Sequence, residues 1–219
     1  MRDCKPLMGV LAFIIYGKYG KYYLNFKEEG KFLNMSEEEM KEYYVMIEPI
    51  ITRPTDINKA CMDLLFDKVR KEGPTKILDI SCGRGYLSCK LADTFGETSI
   101  VGCDINIPKE MEKKQKRNLK FVEGNIEHLP FPNEEFDMVI STHTLEHVIN
   151  AELALSELRR VCKNKLIIIV PCQREYKYTM DFHVQFWPYT YSLQKFTGRT
   201  DSICKKICND LFYEEDVKK

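Results

Sequence analysis

Two aspartates stand where short apolar runs come to an end. Asp79 lies inside Ile77-Leu78-Asp79-Ile80-Ser81-Cys82-Gly83-Arg84-Gly85, and Asp104 closes Val101-Gly102-Cys103-Asp104. A carboxylate in such a place attracts a cationic amine or accepts hydrogen bonds from a diol, and it repels a pyrophosphate. Gly83 and Gly85 let the backbone turn tightly and approach a ligand with no Cβ in the way. The third glycine of a dinucleotide fingerprint is absent, with Ser88 in its place. A third apolar run leads into Gly124-Asn125-Ile126-Glu127, where the amide can bond an adenine edge and the apolar neighbour can cover its face.

Amine, diol and base are the parts of one nucleoside with an amino-acid end, such as S-adenosylmethionine. Histidine is the usual base near neutral pH, and the chain has four: His128, His143, His147 and His183. His128 follows the adenine-type motif and reads as a surface residue. His143, Glu146 and His147 form an HxxEH pattern whose i, i+3 and i+4 positions share a helical face, which suits a divalent metal, but His143 reads better as a base or pocket wall. His183 sits in Glu175–Phe196, where eight of 22 residues are aromatic against 11% in the whole chain. The expected catalytic groups are therefore His183 and His143, with no metal ligand assigned. Tyr178 and Trp187 of the aromatic segment, and Tyr23 from the cluster Tyr16, Tyr19, Tyr22, Tyr23 and Phe26, are the expected acceptor contacts.

These residues need a scaffold that brings several strand ends together. KILDI, SIVGCD, LKFVEG, FDMVIS and KLIIIV are short apolar runs that alternate with helical stretches, and AELALSELRRVC is a clear helix between the last two. Such alternation predicts a doubly wound, mostly parallel sheet buried on both faces, with ligands at the carboxyl ends of its strands. Ser202–Ile207 and Leu211–Glu214 predict a closing antiparallel hairpin. Residues 1–73 read as a helical extension before a core at 74–219, with 175–196 as an aromatic lid. Ser36 and Glu39 make a capping box for a helix carrying Met40, Tyr43, Tyr44 and Ile47 until Pro49, and a second helix is expected from about Thr55 to Gly73.

The chain of 219 residues is one domain with an appendage, and 33 basic residues balance 33 acidic ones. That balance gives no bulk attraction to nucleic acid or an anionic membrane; the locally basic run Lys109–Lys120 reads as a solvated face. Nine cysteines without a CxxC predict reduced thiols and a cytoplasmic setting. Leu7–Tyr16 is too short for a membrane span of ~20 residues and lacks a signal-peptide cleavage site, so it reads as a buried strand or helix.

The stretches ILDISCGRGYLS, VGCDIN, FVEGNIEHLPFPNEEFDMVISTHTLEHV and LSELRRVCKNKLIIIVP, in order over residues 77–171, resemble the class I S-adenosylmethionine-dependent methyltransferases of the small type 11 group. Asn125 departs from the family's usual Asp, and Lys163-Asn164-Lys165 replaces its Pro-Gly-Gly turn. The resemblance implies a Rossmann-like α/β fold with a seven-stranded sheet. It also implies S-adenosylmethionine as cofactor, held by Asp79, Ser81, Gly83, Gly85, Asp104, Ile105, Asn125, Ile126 and Thr142. The reaction would be displacement at the sulfonium methyl. The expected acceptor is a small molecule, a sugar or nucleotide sugar of surface polysaccharide, with no nucleic-acid or membrane partner, and a homodimer is a further expectation. Two rivals remain: metal-assisted methylation of an RNA end or quinone precursor, since a similar ExxEH pattern binds metal in some relatives, and a module that binds the cofactor without turnover.

Overall fold

The computed structural model describes residues 4–20, 35–47, 53–176, 178 and 181–217. Three helices precede the sheet: α1 (Lys5–Tyr16), α2 (Glu37–Ile47) and α3 (Lys59–Glu72). The capping box of α2 forms as expected, Ser36 N donating to Glu39 Oε2 at 2.8 Å and Glu39 N to Ser36 Oγ at 3.2 Å. Helix α3 starts later than the sequence suggested. Asn58, not Thr55, is its cap, accepting from Cys61 N at 2.9 Å, and Gly73 ends it in the left-handed conformation. The Leu7–Tyr16 run is helical, but it is not buried all round. Met8 and Ala12 are covered, whereas Val10, Phe13, Ile14 and Ile15 are exposed.

The remaining elements are β1 (Lys76–Ile80), α4 (Tyr86–Thr94), β2 (Ser99–Asp104), β3 (Leu119–Glu123), β4 (Phe136–Thr142), α5 (Ala151–Val161), β5 (Cys162–Pro171), α6 (Thr190–Thr197), β6 (Ile203–Ile207) and β7 (Asp210–Asp216). They make one seven-stranded sheet in the order β3-β2-β1-β4-β5-β7-β6. Strands β1 to β5 run parallel, and β7 pairs antiparallel with both β5 and β6. Alternation along each strand sends side chains to opposite faces. Leu78, Ile80, Val139, Leu166 and Ile168 pack with Ala154, Leu155 and Leu158 of α5. Ile77, Ile100, Met138, Ile140 and Ile167 pack with Leu65 and Val69 of α3 and Leu87 and Leu91 of α4. Helices on both faces therefore explain why these strands are continuous apolar runs. The chain order reverses between β1 and β4, which opens a crevice at their carboxyl ends.

The aromatic segment after β5 divides in two. Trp187 is only 4% exposed and meets Phe196 at 5.3 Å between ring centroids, inside the core cluster that also takes Leu193 of α6. Trp187 and Phe196 thus serve the core, Tyr191 is exposed, and only the part before Trp187, with the neighbouring Pro188 and Tyr189, reaches the crevice.

Candidate active site

Asp79 occupies the register position opposite Gly102 of β2 and Ile140 of β4, in the middle of the sheet. Its carboxylate is 1% exposed and accepts a hydrogen bond from Ser88 Oγ at 2.5 Å. Burial pushes the carboxyl up to about 7, Ser88 draws it down and Asp104 raises it further. A buried carboxyl with no cationic side chain hydrogen-bonded to it suits a ligand that brings its own positive charge. Ser88, which broke the dinucleotide fingerprint, is this carboxyl's anchor.

The chain leaves β1 through Ser81 (φ 56°), Gly83 (φ 51°) and Gly85 (φ 71°), three left-handed residues in one turn. A Cβ on Gly83 would meet nothing within 4 Å, so this glycine presents bare backbone to the crevice. Gly85 differs: it does not line the crevice, and a Cβ there would stand 2.5 Å from Met111 Cε and 2.8 Å from Phe121 Cζ. It serves packing, which corrects its expected place among the cofactor contacts. Asp104 ties the turn to β2, accepting from Gly83 N at 2.8 Å and Asn106 N at 3.2 Å. Burial raises its pKa, and these backbone donors work against the rise. Asn125 Oδ1 accepts from Glu127 N at 2.9 Å, which shapes the loop after β3. Ser81, Gly83, Asp104, Ile105, Asn125, Ile126 and Thr142 line one continuous crevice with Asp79.

The other end of the crevice holds the histidines. His143 follows β4 in a left-handed conformation (φ 50°), its N–H donating to Ile169 O at 2.8 Å. Its Nδ1 is 3.3 Å from Glu146 Oε1 and its Nε2 is 3.5 Å from Asp210 Oδ2. Burial opposes its charge, but Asp210 and Glu146 outweigh burial and push the imidazole up to about 10. At neutral pH it is an imidazolium with no lone pair to accept a proton. His143 is therefore a poor general base, which corrects that expectation, and it remains a wall of the site.

His183 is carried in by the chain after β5. Val184 N and Gln185 N donate to Glu146 O at 2.7 and 3.0 Å, pinning this segment to the turn after β4. His183 Nδ1–H donates to Gln173 Oε1 at 2.6 Å, while Gln173 Nε2 donates to Asp181 Oδ2 at 3.1 Å. His147 Nδ1–H donates to Phe182 O at 3.2 Å. Because carbonyl oxygens only accept, Nδ1 carries a hydrogen in both rings. The rings stand edge to face, 4.7 Å apart. The HxxEH residues thus do not act as one set; His183 takes the place beside Glu146 and His147 that His143 was expected to fill.

Neither acceptor contact expected from the described aromatics is in the crevice. Trp187 is in the core, and Tyr178, 3% exposed, packs on Met8 and Ala12 of α1. Tyr23, Tyr22 and Phe26 lie outside the described residues. Tyr16, Tyr176 and Tyr189 line the crevice instead, together with Arg53 and Arg174. The reasoning from sequence missed Gln173, Asp181 and Asp210. Gln173 and Asp181 carried no spacing signal, and Asp210 is brought in only by the register of β7 on β5.

Residues 78–170 match the family model described as "Methyltransferase domain". Curated relatives include the ubiquinone/menaquinone biosynthesis C-methyltransferase UbiE of Haemophilus ducreyi, 36% identical over 40% of this chain and 37% of that protein. The malonyl-[acyl-carrier protein] O-methyltransferase of Legionella pneumophila is 29% identical over 50% of this chain and 40% of that protein. The chain thus spans less than half the length of these two relatives. Among solved structures, the CurJ carbon methyltransferase superposes with a TM-score of 0.64 at 10% identity, covering 98% of this chain and 69% of that one, which shows the shared fold. The carboxylates, bare-backbone turn and asparagine loop lie within the stretch that is similar to a methyltransferase domain, and the cofactor such a domain takes is S-adenosylmethionine.

Proposed function

We propose that the protein transfers a methyl group from S-adenosylmethionine to a hydroxyl oxygen of a small polar acceptor, of the sugar or nucleotide-sugar kind. The observation that carries this reading is the continuity of the crevice. Its volume of about 1490 Å³ runs from Asp79, Asp104 and Asn125 to Glu146, His147 and His183, and a drug-sized ligand fills roughly 300–1,000 Å³. The cofactor supplies an electrophilic methyl on a sulfonium. The residues do the rest: Asp79 and Asp104 hold the amino-acid and ribose ends, and the turn at Gly83 positions them. The acceptor oxygen forms the new O–C bond as the C–S bond breaks and its electron pair stays on sulfur. The hydroxyl proton leaves toward His183 Nε2, whose tautomer is held by Gln173.

Support for a polar acceptor comes from the side chains around this end: two imidazoles, Asp181, Arg53, Arg174 and the Tyr16, Tyr176 and Tyr189 rings. A sugar ring would pack on Tyr176 or Tyr189, since Trp187 and Tyr178 do not reach the crevice. The two named relatives differ in acceptor and lend no weight to either. The test is to incubate the protein with methyl-labelled cofactor and a cell extract split into small-molecule and macromolecular fractions. Label in anionic small molecules is the expected result. Label in RNA, protein or lipid overturns the acceptor class, and cofactor binding with no label in any fraction overturns turnover itself.

A further inference from the structure

Four lysine or arginine side chains line the crevice among the described residues, Arg53, Arg84, Arg174 and Lys206. Arg53 pairs with Asp56, and Arg84 belongs to the turn at the cofactor end. Arg174 and Lys206 are exposed, and neither pairs with a carboxylate among the described residues. Arg174 is nonetheless held in place. Its Nη2 donates to Tyr189 Oη at 2.8 Å, and the guanidinium carbon lies 5.8 Å from the centroid of that ring. Tyr189 is itself fixed by Ser192 Oγ, which donates to its O at 2.6 Å and accepts from its N at 3.1 Å, and by stacking on Tyr191 at 5.2 Å. The closing hairpin brings Lys206 to the same rim. Lys206 opposes Leu211, which opposes Val170 near the end of β5, and Cys172 N, two residues before Arg174, donates to Asn209 O of the hairpin turn at 2.7 Å.

We propose that Arg174 and Lys206 bind a phosphate group of the methyl acceptor. An arginine held by a neutral phenol keeps its charge and its other N–H groups for a ligand. Its planar fork matches a pair of phosphate oxygens, and the lysine adds a compact second charge. Two cations from two elements exceed the single charge of a carboxylate, whereas a phosphate ester carries about −1.5 to −2 near neutral pH. Asp181, also at this end, faces Gln173 Nε2 and His183 Nδ1 instead, at 3.1 and 3.5 Å. Gln173 precedes Arg174 in the chain and accepts from His183 Nδ1 at 2.6 Å. The phosphate anchor and the support of the proposed base are therefore consecutive residues, about 3.8 Å apart at Cα. A small acceptor held by its phosphate on Arg174 presents a hydroxyl to His183. The inference rests on the proposed function for the crevice being the acceptor's place, and it narrows that acceptor from polar to phosphorylated, as a sugar phosphate or a nucleotide sugar is.

The test uses the full chain saturated with S-adenosylhomocysteine, the demethylated cofactor, so that the cofactor end is filled, and titrates it by calorimetry with inorganic phosphate, pyrophosphate and acetate. Phosphate and pyrophosphate should saturate one site, with acetate at least about tenfold weaker. Pyrophosphate bound more tightly than phosphate marks a diphosphate ester as the source of the group and equal affinity a monoester, and both results support the proposal. Arg174→Gln and Lys206→Gln should each weaken pyrophosphate binding about tenfold or more. Lys205→Gln, at an exposed residue of β6 that opposes Phe212 and does not line the crevice, leaves it unchanged. All three side chains are exposed, so the variants keep the fold. Absence of saturable pyrophosphate binding, unchanged affinity in Arg174→Gln or Lys206→Gln, or acetate bound as tightly as phosphate each overturns the proposal. Protein that methylates a small molecule carrying no phosphate refutes this subsite alone. Protein that binds pyrophosphate through Arg174 and Lys206 yet methylates no small molecule in the extract refutes the proposed function alone.

Discussion

Asp79 makes the free protein pay for a charge that only its ligand can use, and this is measurable. Its carboxyl moves from an ordinary 3.8 to about 7 in the folded chain, chiefly through burial. The folded state therefore holds this proton over a range where the unfolded chain has lost it, so stability falls as pH rises from about 4 to about 7 and then levels off. At ~1.4 kcal/mol per pK unit the fall attributable to Asp79 is about 4 kcal/mol. Asp79→Asn keeps an acceptor for Ser88 Oγ and has no proton to lose. Urea unfolding of both proteins at pH 5 and pH 8, without cofactor, should show the variant less destabilised between the two pH values by about 2–3 kcal/mol, the part of that fall lying above pH 5, taken as a difference so that other groups cancel. The order reverses with cofactor. Its ammonium group favours the ionised carboxylate, so wild-type affinity should rise about tenfold from pH 6 to 8 and flatten above, while the variant binds weakly at every pH. A variant whose stability falls with pH in parallel with the wild type refutes the burial argument, and one that binds cofactor normally at pH 8 refutes the assignment of the amine.

Four further outcomes follow from the described geometry. Asp104→Ala removes the acceptor for Gly83 N and Asn106 N and the proposed contact to the ribose, so cofactor Kd by calorimetry should rise about 10- to 100-fold. His183→Ala should lower kcat by about 10²–10⁴ with cofactor Kd unchanged, as steady-state kinetics and a binding titration will show. Gly85→Ala drives a methyl into Met111 and Phe121 at a left-handed position and should cost about 1–3 kcal/mol in denaturant unfolding, with no contact to the cofactor lost. Trp187→Ala should cost about 3–5 kcal/mol and leave the acceptor KM unchanged at a temperature where the variant is folded, because the ring lies in the core.

Strands and the cofactor end were legible because they are local. KILDI, SIVGCD and FDMVIS are apolar without interruption, since both faces are covered, and the carboxylates fall at their ends or just inside them by chain position alone. The acceptor end was much less legible. Three separate stretches supply it, the turn after β4, the segment after β5 and the first residue of β7, and only strand register brings them together. Helical spacing grouped His143 with His147, but the turn at Leu145–His147 is a single 3₁₀ turn and His143 precedes it in a left-handed conformation. Aromatic enrichment pointed to a lid, yet Trp187 and Phe196 answer to the hydrophobic core beneath α6, a demand that composition does not separate from ligand binding. The start of α3 was placed at Thr55 because both threonine and asparagine cap helices. Asn58 wins because its amide also donates to Asp210 Oδ2 at 2.6 Å, a contact from the far end of the chain.

That contact sets an order of events during synthesis. Asp210 meets both the cap of α3 and His143, so one late residue joins an early helix to the acceptor end of the site. A ribosome that has delivered β1 to β5 has released every residue of the proposed cofactor end, but β7 is still to come and His143 lacks its Asp210 partner. The cofactor end can therefore take shape on the emerging chain while the acceptor end waits for the hairpin. On the proposed function, the donor end of the crevice is complete in the emerging chain before the acceptor end.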